Sequence, residues 1–76
     1  MLQVWSLTEL GRTMAHSIRS PRSSGWLIIH HLSNTGAQTT DQIANYINLG
    51  KGEVSAILLQ LKRKMIVTEI GQVEVG

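Results

Sequence analysis

Residues Thr39 to Met65, TTDQIANYINLGKGEVSAILLQLKRKM, constrain this chain more than any other stretch. Two short apolar patterns of helical period stand there in series, Ile43, Ala44 and Ile47 in the first and Val54, Ile57, Leu58, Leu61 and Met65 in the second. Asn48-Leu49-Gly50 lies between them and reads as a tight turn. Directly after Met65 the period becomes strand-like, Ile66-Val67-Thr68-Glu69-Ile70, followed by Gly71-Gln72 and Val73-Glu74-Val75. A glycine at the first position of a two-residue loop fits a type II′ hairpin turn. The expected order is therefore helix, turn, helix over about Gly52 to Lys64, then a short hairpin.

The local signals around this unit agree with it. Thr39 opens the first of the two helices, and Gln42 three residues on completes a capping box. Before it, Ser20 as N-cap and Pro21 at the first helical position start a helix that runs to about Ser33, with Gly25, Ile28, Ile29 and Leu32 inward and Trp26, His30 and Ser33 outward. Asn34-Thr35-Gly36 stops that helix, Gly36 or Asn34 being suited to a left-handed cap. Nearer the start, Ser6 or Thr8 caps another helix that ends near Arg19. Its stripe is Leu7, Leu10, Met14 and Ile18, and its wet face is Glu9, Arg12, His16 and Arg19. The apolar opening, Met1 to Trp5, contains a Val-Trp pair that can continue a strand.

Composition narrows the function classes. Seventy-six residues with 42% hydrophobic content make one small domain over 1–76, divided into an extension helix over 1–19 and a core over 20–75. A chain this short buries only about 60% of its unfolded surface, too little to enclose a deep catalytic cavity. There is no cysteine, so neither a disulfide framework nor a thiolate zinc site is available, and a soluble cytoplasmic setting is expected. No apolar run approaches the roughly 18 residues of a membrane span. A net charge of +2 with a pI near 9.5 permits an anionic partner without forcing one.

Enzyme chemistry lacks its parts. Gly50-Lys51-Gly52 has neither the spacing nor the preceding strand of a phosphate loop, and the acidic residues are scattered over different elements. His16, His30 and His31 do not share a helix face, since adjacent helical residues diverge by ~100°. No catalytic site, metal, cofactor or small-molecule ligand is expected. Trp5 and Trp26 read as packing residues.

The stretch TTDQIANYINLGKGEVSAILLQLKRKMIVTEI, with Ile43-Ala44 in a Thr-initiated helix, Val54-Ser55 opening the next, and Leu61, Lys64 and Val67 at its exit, resembles the winged helix-turn-helix domains of MarR- and ArsR-like transcription regulators over about Pro21 to Val75. The resemblance implies a mainly α fold of about four helices with a two- to three-stranded wing, and double-stranded DNA as partner. It also implies that helix 52–64 enters the major groove. Carried over by position, the DNA-binding residues are Thr39, Thr40, Lys51, Gly52, Ser55, Ala56, Leu59, Gln60, Lys62, Arg63 and Lys64. Gln60 would pair with adenine, Ala56 would touch a thymine methyl, and the helix N-termini and basic residues would hold phosphates.

Two departures stand out. Ala56 and Leu59 occupy positions that DNA readers often make polar or basic, and the wing carries Glu69 and Glu74 without a cation. Asp41 and Glu53 in the two first turns also oppose phosphate. The competing expectation is a protein-docking winged helix that uses Gly52, Ala56 and Leu59. A third is a homodimer through the first helix, whose Leu7, Leu10, Met14 and Ile18 either cover the Trp26 face of the same domain or pair across a two-fold axis. The N-terminal SLTELGRTMA resembles the "LT-x-x-G" that follows the wing in extended members, which implies either a piece of a longer polypeptide or a minimal relative with a permuted-looking start.

Overall fold

A computed structural model describes residues 2–17 and 23–73. The elements run β1 (Leu2–Leu7), α1 (Glu9–Ser17), α2 (Ser24–Thr35), β2 (Gln38–Thr39), α3 (Thr40–Ile47), α4 (Lys51–Arg63) and β3 (Val67–Val73). The fold is mainly helical, with one three-stranded antiparallel sheet in the order β2-β1-β3. No described helix is long and apolar enough to cross a membrane.

The opening strand is the middle of the sheet. β1 pairs with the two-residue β2 on one side, Val4 opposite Thr39, and with the whole of β3 on the other, from Leu7 opposite Val67 to Leu2 opposite Val73. Partner pairs Trp5–Glu69 and Val4–Gly71 leave Ile70 as the extra residue of a β-bulge, half exposed at the sheet edge. The expected hairpin at Gly71-Gln72 does not form. β3 runs straight through these residues because β1 supplies the antiparallel partner that 73–75 was expected to supply, and Glu74 and Val75 lie outside the described residues.

α1 begins where Thr8 places it. Its hydroxyl accepts from Gly11 N–H at 3.1 Å and donates to the carbonyls of Met65 and Ile66, while its own N–H donates to Ile66 O at 3.0 Å. This anchoring sets the rotation of α1, so the buried face is Gly11 and Ala15, with Met14 packed partly against the core. The expected stripe is corrected accordingly. Leu7 is a buried strand residue, Leu10 is 50% exposed, and Ile18 lies outside the described residues. Apolar spacing favours the leucine, but at Gly11 any side chain would overlap the Ile66 carbonyl oxygen, and that close approach decides the face.

α2 starts at Ser24 with Ser23 as its cap, the Ser23 hydroxyl accepting from Trp26 N–H at 3.4 Å. The expected cap at Ser20 and first position at Pro21 fall outside the described residues, as does Arg19. The helix continues two residues past Ser33 and ends at Gly36, whose φ of 81° suits glycine and whose N–H returns to Leu32 O. Ile28, Ile29 and Leu32 are buried as expected. His31 is buried too, its ring stacked on Tyr46 of α3 at 3.9 Å and its Nε2 without a partner.

Both later helices close with six-residue returns. Leu49 N–H reaches Ala44 O behind a left-handed Asn48, and Ile66 N–H reaches Leu61 O behind a left-handed Met65. The second return ends α4 before Met65. That residue is therefore 71% exposed instead of completing the apolar sector of the helix. Trp5, Ile28, Ile29, Ile43, Val54, Leu58 and Val67 form the dry centre where sheet and helices meet.

Gly11→Ala tests the α1 contact, because the two effects of the change have opposite signs. Helix propensity alone would stabilise by up to about 1 kcal/mol, whereas overlap with Ile66 O should cost about 1–3 kcal/mol. A lower urea midpoint is expected, and an unchanged or raised midpoint would remove the contact.

Candidate nucleic-acid interface

α3 and α4 are joined by the Asn48-Leu49-Gly50 turn, and their N-termini differ in what remains free. At α3 the capping box is closed: Gln42 N–H donates to Thr39 Oγ1 at 3.1 Å and Thr39 N–H donates to Gln42 Oε1 at 2.9 Å. Thr40 is buried and its hydroxyl accepts from the Trp5 indole N–H at 3.0 Å. Both threonines of the candidate set therefore serve the fold. At α4 the cap residue is Gly50, no side chain caps the helix, and its first N–H groups face outward beside Gly52.

The outer face of α4 is a strip. Stepping ~100° per residue, Gly52, Ala56, Leu59 and Arg63 fall together, and all four are exposed. Leu59 is 49% exposed at its middle. Neither Gly50 nor Gly52 is required by packing, since a methyl group at either would meet nothing within 4 Å. Neither has a positive φ. Glycine at position 52 is thus a local weakness that the fold does not demand.

The flanks of the strip differ. Half-buried Ser55 and exposed Lys62 lie on one side. Gln60 and Lys64 lie on the other, where they line a hollow of about 430 Å³ floored by Ile29, Ile57 and Leu61 and walled by Trp26 and Ser24. Sequence reasoning did not find this hollow, because its walls come from three helices. The structure therefore brings Gly52, Ala56, Leu59 and Arg63 onto one surface and turns Gln60 and Lys64 toward α2.

Charge is concentrated on this helix. Lys51, Lys62, Arg63 and Lys64 are four of the seven Lys and Arg residues of the chain, and Glu53 is the one acid on the helix. The described strands carry no Lys or Arg, and Glu69 accepts from Gln3 Nε2 at 2.7 Å. Lys51 is not wholly free, because its Nζ lies 3.1 Å from Asp41 of α3. The Lys51 side chain is 70% exposed and that of Asp41 30%, so the pair is partly solvated and is worth at most about 1 kcal/mol. Tyr46, 59% exposed above His31, is a surface aromatic that the sequence reading did not single out, since its stacking partner lies on another helix.

Gly52→Ala should leave stability unchanged or raise it by up to about 1 kcal/mol, read as a thermal midpoint. A loss of stability would mean that the outer face of α4 carries structural weight. Comparisons of the chain with protein families, with curated proteins and with solved structures gave no match.

Proposed function

We propose that the chain is a double-stranded DNA-binding module of the winged helix-turn-helix kind, acting in transcription regulation, with α4 as the helix that enters the major groove. The carrying observation is the outer face of α4, a side-chain-poor strip with an uncapped N-terminus and a cluster of cations at its far end, whose Gly52 packing does not require. A helix of 13 residues is about 20 Å long, and the major groove is about 12 Å wide. One end can therefore meet each phosphate ridge. The free N–H groups beside Lys51 and Gly52 suit one phosphate, and Lys62 and Arg63 suit the opposite strand.

Topology supports the same reading. Starting at α2 the elements run helix, strand, helix, helix, strand, and β1 then supplies the return strand of the wing, antiparallel to β3, with α1 following it. This order is compatible with a winged helix read around the paired Leu2 and Val73, and on that reading the Leu-Thr-x-x-Gly sequence at residues 7–11 starts the helix after the wing.

In this reading Ser55, Ala56 and Leu59 face base edges, with Ala56 and Leu59 against thymine methyl groups, and Gln60 reads from the flank. Thr39 and Thr40 position α3 and make no phosphate contact. A second copy docking through exposed Leu10 of α1 and exposed Met65 would pair two such helices. A protein partner seated on Gly52, Ala56 and Leu59 is the second reading, favoured by the exposure of Leu59 and by the strands having no cation.

The test is an NMR titration with a mixed-sequence duplex at several salt concentrations. Amide shifts should centre on Lys51 to Leu59 and fade as salt rises. Replacing Lys62 and Arg63 by alanine should flatten the slope of log K against log salt by about 0.9 for each phosphate that is no longer neutralised. Gln60→Ala should change the preference between sequences without changing that slope. Absence of shifts at low salt would falsify DNA binding and leave the strip to a protein.

A further inference from the structure

A second concave site lies away from α4, where α1 crosses the C-terminal end of α2. It is a hollow of about 240 Å³ with Leu7 and Leu32 as its floor and Arg12, His16, Ser6 and Ser33 around it. Nothing in it comes from α3 or α4, so it is independent of the DNA reading. Both leucines are buried, while Arg12 and His16 stand exposed at i and i+4 on α1, with Cβ atoms about 6 Å apart. The site therefore sets two nitrogen-bearing side chains and two hydroxyls over an apolar floor.

These groups have no evident structural duty. Among the described residues, no carboxylate pairs with Arg12. The hydroxyls of Thr13, Ser17 and Thr35 each bond to the carbonyl four residues earlier, whereas those of Ser6 and Ser33 make no such bond. At the end of α2, Leu32 O accepts from Gly36 N–H at 2.8 Å and His31 O accepts from Thr35 Oγ1 at 2.8 Å. Serving the remaining carbonyls of that end is the competing duty for Arg12 and His16.

We infer that this hollow binds a small phosphate group, the Arg12 fork and His16 ring holding its oxygens and the hydroxyls of Ser6 and Ser33 donating from the opposite walls. An arginine fork presents paired N–H donors that match a tetrahedral oxyanion. The volume lies below the roughly 300–1,000 Å³ of drug-sized ligand pockets, which fits inorganic phosphate or a short phosphate monoester. The apolar floor removes water from one side and strengthens the charged hydrogen bonds above it.

The probes are inorganic phosphate and glycerol phosphate, added to the whole chain at constant ionic strength while backbone amides are followed by NMR. Saturable shifts at Ser6, Arg12, His16, Ser33 and Gly36 are expected with both. Arg12→Ala should weaken binding by about tenfold or more, as loss of a charged hydrogen bond does, and Lys62→Ala should leave it unchanged. Tighter binding of glycerol phosphate would identify a small phosphorylated compound as the ligand, and equal binding would identify free phosphate. Shifts that do not saturate, or that follow Lys62 to Lys64, would overturn the assignment. So would an Arg12→Ala variant that melts earlier yet binds phosphate as before, because the guanidinium would then be serving α2.

Discussion

Trp5 has the largest side chain among the fully buried residues, it sits on the central strand, and its indole N–H donates to Thr40 at the first turn of α3. Three residues later Thr8 bonds to the carbonyls of Met65 and Ile66, where the chain leaves α4. One tetrapeptide therefore holds the helix-turn-helix unit at its beginning and at its end. Burial of the indole supplies most of the energy, and the hydrogen bond removes the penalty of carrying a polar N–H into the core. Because the tether comes from the sheet, α3 and α4 are held from behind, and the opposite face of α4 is left exposed.

The contrast between two glycines makes this division concrete. Gly11 is required: the Ile66 carbonyl oxygen occupies the place a side chain would take, and the packing of α1 on the exit from α4 depends on that closeness. Gly52 is not required, since open space surrounds it and its backbone is ordinary for any residue. The apolar face of α4 is buried through Val54, Leu58 and Leu61, while its outer face keeps glycine, alanine and one exposed leucine.

Much of this is readable along the chain where the determinants are local. The capping box at Thr39 and Gln42, the turn at Asn48, the buried residues of α3 and the outer strip of α4 all follow from spacing and caps. What is not readable depends on partners far away in sequence. The pairing of β1 with β3 joins residues sixty or more positions apart, so spacing alone folds the strand after α4 back on itself. The rotation of α1 is hidden because Leu10 and Met14 carry the apolar signal while the true contact needs the small Gly11. Thr40, Lys51, Gln60 and Lys64 keep the surface chemistry the sequence assigns them only until Trp5, Asp41 and Trp26 are placed beside them.

Electrostatics bounds what one copy of α4 can do on DNA. On the proposed DNA-binding reading, with Lys51 shared with Asp41 and no cation on the described strands, this helix offers at most four cations to phosphates. The corresponding slope of log K against log salt is at most about −3.6, against about −10 for a repressor that makes many such contacts. Coulomb attraction of that size gives weak binding near physiological salt, and the strip of Ala56 and Leu59 adds methyl contacts more than hydrogen bonds. On that reading, useful occupancy of a site would require a second helix on the same duplex, since two linked weak contacts gain from each other's effective concentration. Thr8 brings the start of α1 against the exit of α4, and Leu10 and the left-handed Met65 are two exposed apolar side chains that the domain does not cover with its own described residues, the surface the proposed pairing would use.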